Sequence, residues 1–138
     1  MRCLSLIFGA CLLMSTPVTA LADEPAKTER LFEMRIYYPP EGKMAALQSR
    51  FRDHTVKLFA KHGMDVIGFW VERDPKDKKE KLIYILAHAS KESADASWKA
   101  FRNDPVWQKA KADSEVNGTL VEKIDTIWMT PADYSPIR

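Results

Sequence analysis

Three histidines, His54, His62 and His88, are the side chains of this sequence that titrate nearest neutral pH. Two of them stand eight positions apart in RFRDHTVKLFAKHGMDVIGFWV, residues 50–71, and Gly63 directly follows the second. On a helix, His54 lies three residues after Phe51 and four before Leu58, so it leans toward the apolar face. There it is a candidate acid or base in a pocket between helix and sheet. The competing reading is a core-edge histidine satisfied by a backbone group, by Asp53 or by a Glu. His62 falls in the last turn before Gly63, where a cation opposes the negative helix end for about 0.3–1 kcal/mol. That structural role suffices for it. His88 ends the run LIYILAH and shares a face with Leu82, Tyr84 and Leu86, reaching either a pocket rim or solvent.

A second group with chemical potential is Glu33, Arg35 and Tyr37, which alternate onto one face of LFEMRIYY. If that face is turned away from the helices and into a barrel, Glu33 and Arg35 must pair with each other or with Glu122 or Lys123. The aromatic set of Trp70, Trp98, Trp107 and Trp128, with Phe69 and Tyr84, is mainly core material. Trp107, just after Pro105, is placed to fold against a sheet as a lid, and an aromatic-lined pocket suits a planar, hydrophobic ligand. The ligand-pocket candidates are therefore Glu33, Arg35, Tyr37, His54, Trp70, Tyr84, His88 and Trp107. The chain has no Gly-rich phosphate loop, GxSxG elbow, HExxH or CxxC. Its scattered histidines give no metal-ligand spacing, and neither a metal nor a cofactor is expected.

The elements that must position these residues follow from periodicity. Leu31 to Tyr38 alternates with period two and ends at Pro39-Pro40, which marks a strand. Met44, Leu47, Phe51, Thr55, Leu58 and His62 recur at helical spacing, so Glu41 to His62 reads as one helix with Gly63 as its left-handed cap. Met64 to Glu72 and Leu82 to His88 are strands joined by a hairpin turn at Asp74-Pro75-Lys76-Asp77. Ser90 caps a helix over Lys91 to Phe101; Asp104 and Pro105 restart one over Val106 to Glu115, stopped by Asn117-Gly118. Thr119 to Met129 is the fourth strand. The order β-α-β-β-α-β predicts an α+β, ferredoxin-like fold: a four-stranded antiparallel sheet with its helices on one face. The other face is rich in apolar groups, and wetting it costs about 25 cal/mol per Å². The chain is therefore expected to pair as a homodimer, two sheets closing into a dimeric α/β barrel.

Ahead of this domain, Met1 to Ala22 carries one cation, an apolar run from Leu4 to Met14, Pro17 and the small residues Ala20 and Ala22 before a cleavage point. It reads as a signal peptide cleaved after Ala22, which implies a periplasmic or secreted protein. The apolar run is too short to span a bilayer, which takes about 20 residues, so no membrane span is expected in the mature form. Residues 23–30 form a polar leader, 31–130 the domain and 131–138 a C-terminal tail. Both cysteines, Cys3 and Cys11, leave with the signal, so the mature chain has neither disulfide nor thiol nucleophile. Removing Arg2 leaves 20 cations against 19 anions. The only basic run, KDKKEK at residues 76–81, is interrupted by acids and reads as a solvated hairpin tip, so no nucleic-acid partner is expected.

The strand FEMRIYYPPEGKM, the helix end KHG followed by a GFW strand, and the DPVWQ break together resemble the NIPSNAP family over Leu31 to Met129. That resemblance implies the dimeric α/β-barrel superfamily, which holds cofactor-free monooxygenases, isomerases, haem-degrading enzymes and proteins without known activity. Two functions follow as expectations. One is an exported domain that binds a small apolar or aromatic molecule or serves as an interaction module. The other is a cofactor-independent monooxygenase or isomerase with His54 as acid–base group, or a haem-handling enzyme with His54 or His88 on iron.

Overall fold

A computed structural model of the chain describes residues 30–77 and 79–138. The expected signal segment, and the leader up to residue 29, lie outside the described residues. Strands β1 (Leu31–Tyr38), β2 (Asp65–Val71), β3 (Leu82–His88) and β4 (Lys123–Met129) form one sheet in the order β2-β3-β1-β4. Each neighbouring pair is antiparallel. With the helices between β1 and β2 and between β3 and β4, this is the expected ferredoxin-like architecture.

The first helical segment differs from the single helix expected. α1 (Met44–Arg50) and α2 (Val56–Lys61) are joined by a π-helical turn over Phe51–Thr55, in which the Val56 N–H donates to Phe51 O. The Thr55 hydroxyl donates to Arg50 O at 3.3 Å, closing the widened turn from inside. The fourth strand also starts later than the Thr119 expected. Leu120 is instead buried as an anchor at 1% exposure, and the Thr119 hydroxyl holds a local turn by accepting from the Val121 N–H at 3.4 Å.

The caps read from sequence are present. Ser90 caps α3 (Lys91–Asn103) with a reciprocal bond to Ser93, and Asp104 caps α4 (Pro105–Ser114) with Pro105 at its first position. Gly63 follows the C-cap His62 at φ +72°.

The core lies between helices and sheet. Phe51 packs its ring within 5.4–6.2 Å of Tyr37, Phe59, Phe69 and Tyr84. The opposite sheet face carries Met34, Ile36, Ile83 and Ile85 in register, flanked by Trp70 at 49% and Ile127 at 44% exposure. The Trp70 ring lies over Gly68, where an added Cβ would come within 2.7 Å of it. The C-terminal tail folds back to form a groove with Phe32, Ile67 and Ile85 at one end of this face, and Arg30 Nε donates to Arg138 O at 2.8 Å.

At Gly63 an L side chain is strained by φ alone, so Gly63→Ala is expected to lower stability by about 1 kcal/mol, read as a lower urea midpoint. An unchanged midpoint would show that the helix end relaxes to another cap.

Candidate functional site

The face assignment of β1 is the first correction. Glu33, Arg35 and Tyr37 do share a face, but it is the helix face, not the one turned away from the helices. Their register partners on β3, Leu86, Tyr84 and Leu82, point the same way and are all buried. Neither Glu122 nor Lys123 is a partner of Glu33 or Arg35. Lys123 instead bonds Asp125 at 2.9 Å on the outer side. The physical reason is donor supply: buried carboxylates need donors, and these come from the helix side.

Glu33 is 1% exposed and receives three of them. Its Oε2 accepts from Trp98 Nε1 of α3 at 2.7 Å and lies 3.0 Å from His88 Nε2 of β3; its Oε1 accepts from Arg35 Nη1 at 3.1 Å. Burial by itself raises the Glu33 carboxyl. The bonds from His88 and Trp98 and the Arg35 charge outweigh it, and the carboxyl sits below its ordinary value. An ionised Glu33 requires His88 to carry its proton on Nε2. The Arg35 guanidinium stacks 4.2 Å from the Trp98 ring centre, and no acceptor among the described residues meets its buried Nε. Below Arg35, Tyr84 OH donates to Tyr37 OH at 3.0 Å. Burial lifts the Tyr84 phenol well above its ordinary value, so it stays neutral. Five of the residues singled out from sequence, Glu33, Arg35, Tyr37, Tyr84 and His88, thus form one buried network.

Tyr37 also forms a wall of a cleft of about 340 Å³ between β1, α4 and the loop entering β4. Trp107, Val121 and Ile124 supply further apolar walls, and Arg50 and Lys111 the cationic side. The cleft exists because the helices leave the β4 edge uncovered: Ile124 remains 41% exposed although it faces the helix side beside Tyr37. Trp107 stacks 4.5 Å from Phe101, which fixes its ring as a wall rather than a free lid.

Arg50 was not singled out from sequence, although it lies three residues after Leu47 on the apolar stripe. Its side chain is 3% exposed. Nη1 is bonded to Glu115 Oε1 at 2.8 Å and Ser114 Oγ at 3.3 Å, whereas Nε is buried with no acceptor among the described residues. Trp98 was assigned to packing alone; its need for an acceptor on burial is the signal that pointed to Glu33.

Two candidates fall elsewhere. His54 is exposed, while its neighbour Thr55 is the residue buried over the core; His54 borders a shallow depression with Val106 and Asp113. Trp70 lies on the outer sheet face, away from the network. His62 serves the helix end as expected and adds a bond: its Nε2 is 2.7 Å from Asp104 Oδ2, which Lys61 Nζ also reaches at 2.7 Å. The bonds from Lys61 and then His62 hold the Asp104 carboxyl far below the usual range. Among the described residues, no cluster of His, Cys, Asp and Glu is placed to hold a metal ion, and no helix is long and apolar enough to cross a membrane.

Fold and site together define an α+β ferredoxin-like domain in which a buried carboxylate network shares Tyr37 with an aromatic cleft. The NIPSNAP family model matches residues 32–136, and the chain belongs to that family. Its fold is similar to that of a NIPSNAP family protein with unknown function from Agrobacterium tumefaciens, at 19% identity and TM-score 0.70 over 81% of this chain and 96% of that one. A second NIPSNAP family protein from that organism matches at 24% identity and TM-score 0.69, covering 79% and 99%. A NIPSNAP-like domain protein from Burkholderia xenovorans matches at 14% identity and TM-score 0.68, covering 79% and 90%. A search of curated proteins gave no match. At these identities the likeness is one of fold.

Because the folded Glu33 value lies below the ordinary one of about 4.3, its contribution to stability is complete above that pH and is lost as pH falls through the folded value. Glu33→Gln is expected to cost on the order of 3 kcal/mol near neutral pH, by stranding Arg35, and to flatten the acid-side fall. Urea unfolding over a pH series measures both; a variant as stable as the parent would mean the network contributes nothing net.

Proposed function

We propose that the protein is an exported, homodimeric NIPSNAP domain that binds a small planar aromatic molecule. The single observation that carries the binding reading is the cleft walled by Tyr37, Trp107, Val121 and Ile124, of a volume suited to a small ring system. The condition of the acid–base candidates favours binding over turnover. His54 stands in solvent, Glu33 spends both oxygens on Trp98, His88 and Arg35, and the buried His88 ring is tied to Glu33 through Nε2. The oxygenase, isomerase and haem-handling alternatives each require one of these histidines to be free to act on a bound molecule.

Support for the homodimer comes from the outer sheet face, where Trp70, Ile127 and the half-buried Met34, Ile36, Ile83 and Ile85 make one apolar surface. Such surfaces mark association sites, and a two-fold pairing of sheets covers this one with its own copy. The export reading rests on the N-terminal pattern ending at Ala22.

Sedimentation velocity on the mature chain is expected to give a dimer, and the double variant Trp70→Lys, Ile127→Lys a folded monomer. A parent chain that stays monomeric at high concentration removes the dimer. For the cleft, the indole N–H resonances of the four tryptophans separate binding places. Titrated 2-naphthoate should move the Trp107 signal, identified by its loss in Trp107→Phe, and leave Trp98 in place. Movement confined to Trp70, or none at all, rejects the cleft as the binding site.

A further inference from the structure

We infer that the cleft selects organic anions: an aromatic ring between Trp107 and Tyr37 with a carboxylate directed at Arg50 and Lys111. This rests on the small-molecule reading of the cleft and names the ligand class. Arg50 is the residue that carries it. A guanidinium offers five donors in a fixed fork. In Arg50 the Nη1 donors are used by Glu115 and Ser114, while Nε and Nη2 have no acceptor among the described residues. With Nε enclosed, Nη2 is the donor left for an acceptor in the cleft that Arg50 lines, and a carboxylate there accepts a charge-assisted bond.

Three further features agree. The Arg50 guanidinium carbon lies 5.3 Å from the Trp107 ring centre, so the cation and the aromatic wall are adjacent rather than at opposite ends. Lys111 is exposed on the same wall and has no ion-pair partner among the described residues, in contrast to Lys109 two residues earlier, which is bonded to Asp113 at 2.7 Å. The acids at the cleft do not cancel this. Glu115 is engaged by Arg50 and the Leu120 N–H, and Glu122 is exposed at the rim. A neutral ring compound fills the apolar walls but leaves the Arg50 edge unsatisfied; an aromatic acid answers both.

Isothermal titration of the mature chain with 2-naphthoate and 2-naphthamide compares one ring system with and without charge. The acid is expected to bind about tenfold tighter or more, as charge-assisted hydrogen bonds predict. Lys111→Gln, at an exposed position, should narrow the gap several-fold without loss of fold. Arg50→Gln should abolish the gap; since it also breaks the Glu115 pair, the ligand comparison on the unaltered chain stands as the primary test. Equal affinity for acid and amide overturns the anion selectivity while leaving an aromatic cleft. Saturable binding by neither overturns both.

Discussion

A single buried carboxylate constrains most of this fold. Taking an ion out of water costs several kcal/mol even after the protein relaxes around it, and Glu33 is almost wholly enclosed. It is tolerable only where donors converge, and three do, from α3, β3 and β1 itself. Those donors must be placed to within hydrogen-bond tolerance, which fixes how α3 lies across the sheet and how β3 pairs with β1. The side-chain period of a strand is two, so this one requirement also assigns every other residue of β1. With Glu33, Arg35 and Tyr37 turned toward the helices, Phe32, Met34 and Ile36 have no choice but the outer face. The apolar outer surface and the polar inner network are two consequences of the same placement.

The cleft follows from coverage. The single helical layer packs on β2 and β3, and β4 lies at the far edge of the sheet, beyond β1. Where Tyr37 meets the uncovered Ile124, the floor is apolar and the roof is the start of α4 with Trp107. The π turn contributes at the other side. By widening the helix after Arg50 it lets Thr55 seal the turn from within. π-bulges recur at functional sites because they reorient a few side chains without ending a helix. Here the residue just ahead of the bulge is the buried arginine.

How much of this was legible in the sequence depends on whether a local rule decided the outcome. Strand β1, the caps at Ser90 and Asp104, Pro105 and Gly63 are set by period, donor count and φ preference, all readable within a few residues. The face of β1 was not, because alternation says which residues share a side but not which side meets the helices. The deciding donors, Trp98 and His88, are 65 and 55 positions away from Glu33. His54 stands at the margin of the apolar stripe, one position from the buried Thr55, where spacing alone does not decide between core edge and solvent; the π turn itself has no Pro or Gly to announce it. Arg50 carries no local signal: a charged residue on an apolar stripe ordinarily reaches for water, whereas here Glu115, at the end of a helix distant in sequence, keeps it inside.

The balance between rigidity and access separates the two polar centres. Glu33 has both oxygens bonded and His88 is enclosed against it, so a group so committed serves architecture better than turnover. Arg50 is satisfied on one edge only, and it stands beside an open, aromatic space. Tyr37 touches both centres, through Tyr84 and Arg35 on one side and the cleft wall on the other. The buried network thereby holds one wall of the cleft in a fixed position. A preformed wall lowers the ordering cost of binding a rigid ring, which is how a carboxylate that no ligand can touch contributes to a site at the other end of the same strand.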